Sequence, residues 1–299
     1  MAPTVPSLEL VNDHVDEAAW SPDGTQIAFV SRRYFGEAGP DDQLETVAAD
    51  GSVPLVRYTA PSQPDTGVEN LGWAANGMGF LFGLDPYHSG SLLADGAALF
   101  RLPPGGGPPL PLATALVYAD WRSFSPDGRA LALVTGSSRE VYTGKTVSIC
   151  DLTGGGCAPL PKPDGTVTVD PAWSPDGTRI AEVQAPDIGH VGGLPNEADR
   201  DAWLNAHVLV VVQPDGTQPL QLSPPGEAAD SPQWSRDGGR ILYLCGVARG
   251  ICVVPSDGSG AAVQVVDSLS GPQPSPLGPL GYYGHFDPAL VLAWWQPGG

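Results

Sequence analysis

The sequence predicts an all-β chain: a six-bladed β-propeller of four-stranded antiparallel blades, its ring closed by the N-terminal strand completing the last blade. Three observations predict it. One five-residue motif recurs along the whole chain. Each copy is followed by strand-like runs separated by turn signals. And the 299 residues carry 39 Gly and 33 Pro beside 41% hydrophobic residues, a mixture that suits many short, punctuated strands.

The motif is Trp-Ser-Pro-Asp-Gly at 20–24 and 173–177, Phe-Ser-Pro-Asp-Gly at 124–128 and Trp-Ser-Arg-Asp-Gly at 234–238, with a weakened Trp-Ala-Ala-Asn-Gly at 73–77. Pro presets φ for a type I turn, Asp bonds its own backbone and Gly takes the left-handed position. The aromatic ring ahead of the turn offers a flat surface to pack between sheets. Asp23, Asp127, Asp176 and Asp237 are therefore read as turn residues rather than catalysts. Each motif leads into an apolar strand, such as QIAFVS, ALALVT or RILYLC. A second run then ends in a turn (LETVAADGS, LFRLPPGGG, LVVVQPDGT), and a short one follows (PLVRYT, PLPLAT, PLQLS). With the strand entering the motif, that makes four per repeat, A to D.

A degraded sixth copy is PSPLGPLGYY at 274–283, which keeps Ser275, Pro276 and Gly278. Motif starts then fall at 20, 73, 124, 173, 234 and 274, similar intervals that tile the chain as a single domain, 1–299. The blades are placed at about 17–59, 69–113, 120–161, 170–222, 230–267 and 269–299 plus 6–12. The terminal LAWWQPGG aligns with LFRLPPGG and LVVVQPDG, so it is strand C of blade 6 awaiting a strand D. PSLELVN at 6–12 supplies that strand from the other end of the chain, which removes a free sheet edge.

These repeats resemble the TolB-type six-bladed propeller family, over essentially the full chain. The resemblance implies the fold and a location outside the cytoplasm. It leaves the activity open, since one propeller hosts many functions.

In such a blade A lies innermost and D outermost. The A–B and C–D turns share one face; the B–C loops and D–A crossings share the other. Every long insertion falls on the second face: 31–43, 83–97 and 184–206. Within the last, NEADRDAWLN predicts a short helix with Asn196 as N-cap. Tyr34, Phe35, Tyr87 and Trp203 are the exposed aromatic anchors expected there. All five histidines, His14, His88, His190, His207 and His285, map to this face. They are five separate surface imidazoles, or His14, His88 and His285 converge on a metal.

A second set lies nearer the axis. Asp16, Glu69, Asp120 and Asp230 stand four residues before the motif aromatic, and Asp170 three before. This acidic ring would attract Ca²⁺ or another divalent cation, or a Lys/Arg-bearing peptide. Its structural alternative is hydrogen bonding to backbone N–H groups of neighbouring strands.

The four cysteines form two equally spaced pairs, Cys150/Cys157 and Cys245/Cys252, each straddling a hairpin turn. Facing strands favour two disulfides over free thiols, and a shared zinc site is disfavoured because the hairpins open on opposite faces. Disulfides would place the protein in the periplasm, secreted or at the cell surface. The start, MAPTVPSLEL, lacks the basic and apolar regions of a signal peptide, so either the protein is cytosolic or an export signal has been removed ahead of Met1.

The formal charge of −19 repels nucleic acid and anionic membranes, and no apolar run reaches the 18 residues of a membrane span. No Gly-x-Ser-x-Gly, P-loop, Gly-x-Gly-x-x-Gly or His-Glu-x-x-His occurs. The reading is a monomeric, non-catalytic module, with no required cofactor, binding a protein or peptide with a basic element. A metal-dependent polysaccharide lyase and a ligand-free scaffold are the alternatives. Oligogalacturonate lyases share this kind of propeller and hold a metal with histidines, though an acidic funnel repels a polyuronate.

Overall fold

A computed structural model describes residues 14–32, 41–62, 66–74, 77, 79–86, 96–116, 118–136, 139–189, 196–247 and 249–268. The sixth motif copy and the 6–12 segment lie outside these residues, so the ring closure and the sixth blade do too. Within them the chain forms five four-stranded antiparallel sheets in sequence order. Blade 1 holds β1 (His14–Trp20), β2 (Gln26–Arg32), β3 (Gln43–Ala48) and β4 (Leu55–Thr59). Blade 2 holds β5 (Thr66–Trp73), β6 (Phe80–Pro86), β7 (Ala97–Leu102) and β8 (Leu110–Ala115). Blade 3 holds β9 (Arg122–Phe124), β10 (Ala130–Thr135), β11 (Thr146–Asp151) and β12 (Cys157–Pro159). Blade 4 holds β13 (Thr166–Trp173), β14 (Ile180–Pro186), β15 (Val208–Val212) and β16 (Leu220–Gln221). Blade 5 holds β17 (Asp230–Trp234), β18 (Arg240–Cys245), β19 (Gly250–Pro255) and β20 (Val263–Val266). Each sheet is a simple meander, the arrangement of propeller blades.

The motif turn is tighter than its Pro, Asp and Gly alone explain. In blade 1 the Ser21 hydroxyl donates to Asp23 Oδ1 at 2.6 Å and accepts from the Gln26 amide at 2.9 Å. Asp23 Oδ1 also takes the Thr25 amide, and Gly24 sits at φ +68°. The same network recurs at Ser125/Asp127, Ser174/Asp176 and Ser235/Asp237. That is why Arg236 can replace Pro: the serine and aspartate carry the turn, and Pro only presets one dihedral.

The core lies in the seams between consecutive sheets. Ala28, Val30 and Leu44 of blade 1 meet Val68, Phe80, Phe82 and Leu102 of blade 2, and three further seams repeat the pattern. Burying each such aliphatic or aromatic side chain stabilises by about 1.5–3 kcal/mol. The motif tryptophans join the seams directionally. Trp73 Nε1 donates to Ala19 O at 3.0 Å and Trp234 Nε1 to Ala172 O at 2.9 Å, each reaching back to the preceding blade. At the seam of blades 3 and 4 the Trp173 amide instead donates to Ser123 Oγ. Trp20, first in the series, is 60% exposed.

Innermost strands share one further feature. The A–B register shifts at Asp16/Ala19, Asn70/Gly72, Val169/Ala172 and Asp230/Gln233, a bulge in four of the five blades. In blade 3 a single 3-10 turn, Ala119–Trp121, stands at that place. Bulges re-aim side chains, and here they fall where the acidic residues are.

The one helix among the described residues, α1 (Glu197–Asn205), joins β14 to β15. Asn196 caps it, its side chain accepting the Asp199 amide at 2.9 Å.

Candidate functional site: the loop-rich face

Two of the five ring acids are brought together. Asp170 lies inside the β13 bulge at φ +51°, and Ser231 occupies the corresponding bulge of β17 at the same φ. The Ser231 amide donates to Asp170 Oδ2 at 3.1 Å across the seam of blades 4 and 5. Asp230, one residue before, accepts from Arg249 Nη1 at 2.5 Å and from the Ser231 hydroxyl at 2.8 Å. All these groups are buried. Burial and the adjoining Asp230 charge push Asp170 well above the usual carboxylate range, and Asp120 adds to the push. Burial alone would raise Asp230 too, but the Arg249 guanidinium, hydrogen bonding with Asp170 and the neighbouring His207 carry it below that range. Asp170 is thus biased toward its protonated form and Asp230 toward its charged form, and Arg249 matches that charge.

Glu69 is buried in β5 opposite Gly83. The side chains of His14 and Asp16 lie outside the described residues, as do Tyr34, Phe35, Tyr87, His88, His190 and His285. The proposed convergence of His14, His88 and His285 therefore falls there as well. Among the described residues no group of three or more His, Cys, Asp or Glu side chains is placed to hold a metal ion. The donor set also fits a cation poorly: Asp170 is taken by a backbone N–H and Asp230 by a guanidinium, the structural use open to such acids.

His207 is 3% exposed and stands beside this pair. Burial drops its imidazole to about 4; the Asp230 charge opposes that, Arg249 reinforces it, and the Ala229 backbone adds a weak upward pull. Neither ring nitrogen makes a hydrogen bond of normal geometry. Its neighbour Trp203 corrects the sequence expectation. Far from an exposed anchor, Trp203 is 5% exposed, donates Nε1 to Pro186 O at 3.0 Å and packs edge-on to Tyr142 and His207. Helix α1 turns its only aromatic inward because the blade 3–4 seam beneath is apolar.

A second polar cluster spans the seam of blades 3 and 4 on the same face. Asp187, just past β14, accepts from the Thr143 hydroxyl (2.7 Å) and the Gly144 and Gly189 amides (3.0 Å each), tying the two B–C loops together. Lys145 is fully buried; burial lowers it to about 8 against the opposing pull of Glu140 and Asp187. Glu182 in β14 is 1% exposed and burial raises it to about 7, with a Gln184 hydrogen bond and the Lys162 charge pulling the other way. Lys162 Nζ itself donates to Thr166 O. Sequence reading missed Lys145, Glu182 and Arg249. Glu182 had a signal, as the lone acid in the apolar run RIAEV.

Both cysteine pairs are bonded, Cys150–Cys157 across β11/β12 and Cys245–Cys252 across β18/β19. The second closes the hairpin whose tip carries Arg249, at φ +54°. Two disulfides fit a protein of an oxidising compartment. No described helix is long and apolar enough to cross a membrane.

No known family profile and no curated protein sequence matches the chain. Solved structures do. An oligogalacturonate lyase from Vibrio parahaemolyticus aligns at TM-score 0.52 and 13% identity, over 85% of this chain and 65% of the lyase. Prolyl oligopeptidase B from Galerina marginata aligns at 0.51 and 10%, over 84% of this chain and 34% of the enzyme. A putative TolB from Agrobacterium tumefaciens shares 18% identity at TM-score 0.46, over 84% of this chain and 80% of that one. The chain spans under two thirds of both enzymes. At these identities the likeness is one of fold: an all-β array of propeller blades.

Proposed function

We propose that this chain is an extracytoplasmic propeller, periplasmic, secreted or at the cell surface, that binds a protein or peptide through its loop-rich face without catalysis. One observation carries the reading. Buried polar clusters tie down the described B–C loop segments of blades 3, 4 and 5, at the end of the blades where the long insertions of blades 1, 2 and 4 also leave strand B. Held loops of this kind form a preorganised surface, which lowers the ordering cost of binding. Among the described residues the opposite face carries short, stereotyped turns. Asp170 and Asp230, already matched by Ser231 and Arg249, serve as a brace for that surface. The charge of −19 favours a partner with a basic element.

The test is a variant carrying Tyr34→Ala, Phe35→Ala and Tyr87→Ala. Envelope or secreted proteins retained by the immobilised wild type are identified by mass spectrometry and compared with those retained by the variant. A partner lost by the variant while its melting temperature stays within about 2 °C of wild type supports the reading. Equal retention by both proteins refutes it.

A further inference from the structure

The blades are copies of one another, so a position filled in one seam can be compared with its equivalent in the next. At the seam of blades 4 and 5, Arg179 follows the motif turn of blade 4. Its guanidinium lies over the Trp234 ring, with Cζ 4.8 Å from the centroid. Nη1 donates to Ser256 O at 2.9 Å, and Nη2 to Gly238 O at 3.4 Å and Ser256 Oγ at 3.3 Å. The turn aspartate of blade 4, Asp176, feels this charge. A tryptophan face, two carbonyls and a nearby carboxylate make a socket that selects a guanidinium.

The strand registers carry these positions onto the seam of blades 1 and 2. Trp20 pairs with Ile27 as Trp173 pairs with Ile180, so Gln26 stands where Arg179 does. Trp73 pairs with Phe80 as Trp234 pairs with Ile241, making Trp73 the counterpart of Trp234 and Gly77 of Gly238. Phe80 pairs with Leu102 as Ile241 pairs with Val254, so Pro104 replaces Ser256. Asp23 replaces Asp176. All five residues, Asp23, Gln26, Trp73, Gly77 and Pro104, line one cleft of about 420 Å³. Gln26 is shorter than arginine and uncharged. Asp23 is fully exposed, and hydrogen bonds from Ser21 and Thr25 hold it ionised to low pH.

We propose that this cleft, on the turn face between blades 1 and 2, is a binding socket for an arginine side chain of a partner polypeptide. The internal copy shows the chemistry of the occupant: a planar cation stacked on the indole, with its N–H groups donated to the Gly77 and Pro104 carbonyls and its charge met by Asp23. This surface is opposite the loop-rich face, so it stands or falls independently of the function proposed above.

Titration of the full chain with the pentapeptide Gly-Gly-Arg-Gly-Gly tests it, followed by NMR of the Trp73 indole and by calorimetry. The arginine peptide should bind in the millimolar range, and its citrulline counterpart, isosteric but uncharged, about tenfold weaker or less. Gln26→Arg supplies the guanidinium from within, as Arg179 does. It should fold with an unchanged or higher melting temperature and lose at least about tenfold in peptide affinity. Asp23→Asn, which keeps the turn's acceptor oxygen, should weaken binding about fivefold and reduce its salt sensitivity. Equal binding of the citrulline peptide, unchanged binding by Gln26→Arg, or no response at about 20 mM, well above the dissociation constant expected here, would each overturn the proposal. Self-association of the wild type that Gln26→Arg abolishes would overturn the choice of partner, assigning the arginine to a second copy.

Discussion

Two buried side chains on the loop-rich face pull the pH dependence of stability in opposite directions. His207, lowered to about 4 from an ordinary 6.5, stays neutral in the folded chain where the unfolded chain has already taken a proton. Its contribution is therefore complete above pH 6.5 and lost as pH falls toward 4. Glu182, raised to about 7 from 4.5, keeps its proton in the folded chain. Its contribution is complete below pH 4.5 and lost as pH rises toward 7. Each slope reaches at most about 1.4 kcal/mol per pH unit, so over the shared window they largely cancel. Chemical denaturation from pH 4.5 to 7 should separate them. The stability difference between wild type and His207→Phe should grow with pH, and that between wild type and Glu182→Gln should shrink. Parallel curves for all three proteins would show that neither group titrates differently on folding. Arg249 is more exacting. Removing it would strand Asp230 in the interior, a loss of about 3–5 kcal/mol for a broken buried pair.

At the scale of a hairpin, the two disulfides offer an internal control. Both span a sequence separation of 7, so the chain-entropy contribution is the same, roughly 2–3 kcal/mol. They differ in what the hairpin carries: Cys150–Cys157 closes an outer turn, whereas Cys245–Cys252 holds the Arg249 tip against Asp230. Replacing Cys245 and Cys252 by Ala should cost about 1 kcal/mol more than replacing Cys150 and Cys157, measured by urea denaturation. Equal losses would mean that Arg249 keeps its place without the staple. Hairpins of this sort were legible in the sequence because their chemistry is local: Ser-Pro-Asp-Gly names its own turn, and Asn196 announces α1. What α1 does with Trp203 was not legible. Whether a helix turns an aromatic outward or inward depends on the surface beneath it, and that surface comes from residues scattered from Leu116 to Val212. The clustering of Asp170, Asp230, Arg249 and His207 was hidden for the same reason. The acidic spacing flagged two of its members, but Arg249 and His207 arrive from different blades, and only a bulge aims Asp170 at its neighbour.

For the whole molecule, repetition was readable and its exceptions were not. Six similar intervals announced the architecture, and the five described sheets follow it. The difference between Gln26 and Arg179 is plain in an alignment of the repeats, yet it has no meaning until Trp234 shows what the arginine touches. Repetition also gives the array a polarity. Trp73 and Trp234 each donate backward to the blade before, so the two flanks of a blade are unlike, one offering an indole N–H and the other a carbonyl. Trp20 presents the donor flank at the start of the described arc. A fragment such as 14–268 would therefore expose one flank of each kind, and a surface that fits its opposite but not itself cannot close as a two-fold pair. Light scattering should find such fragments adding end to end, into open chains or larger rings, with mass rising smoothly with concentration; a discrete, saturating dimer would show that the flanks are alike. A sixth blade joining those two flanks within one chain would, on this view, also keep the protein from becoming a filament.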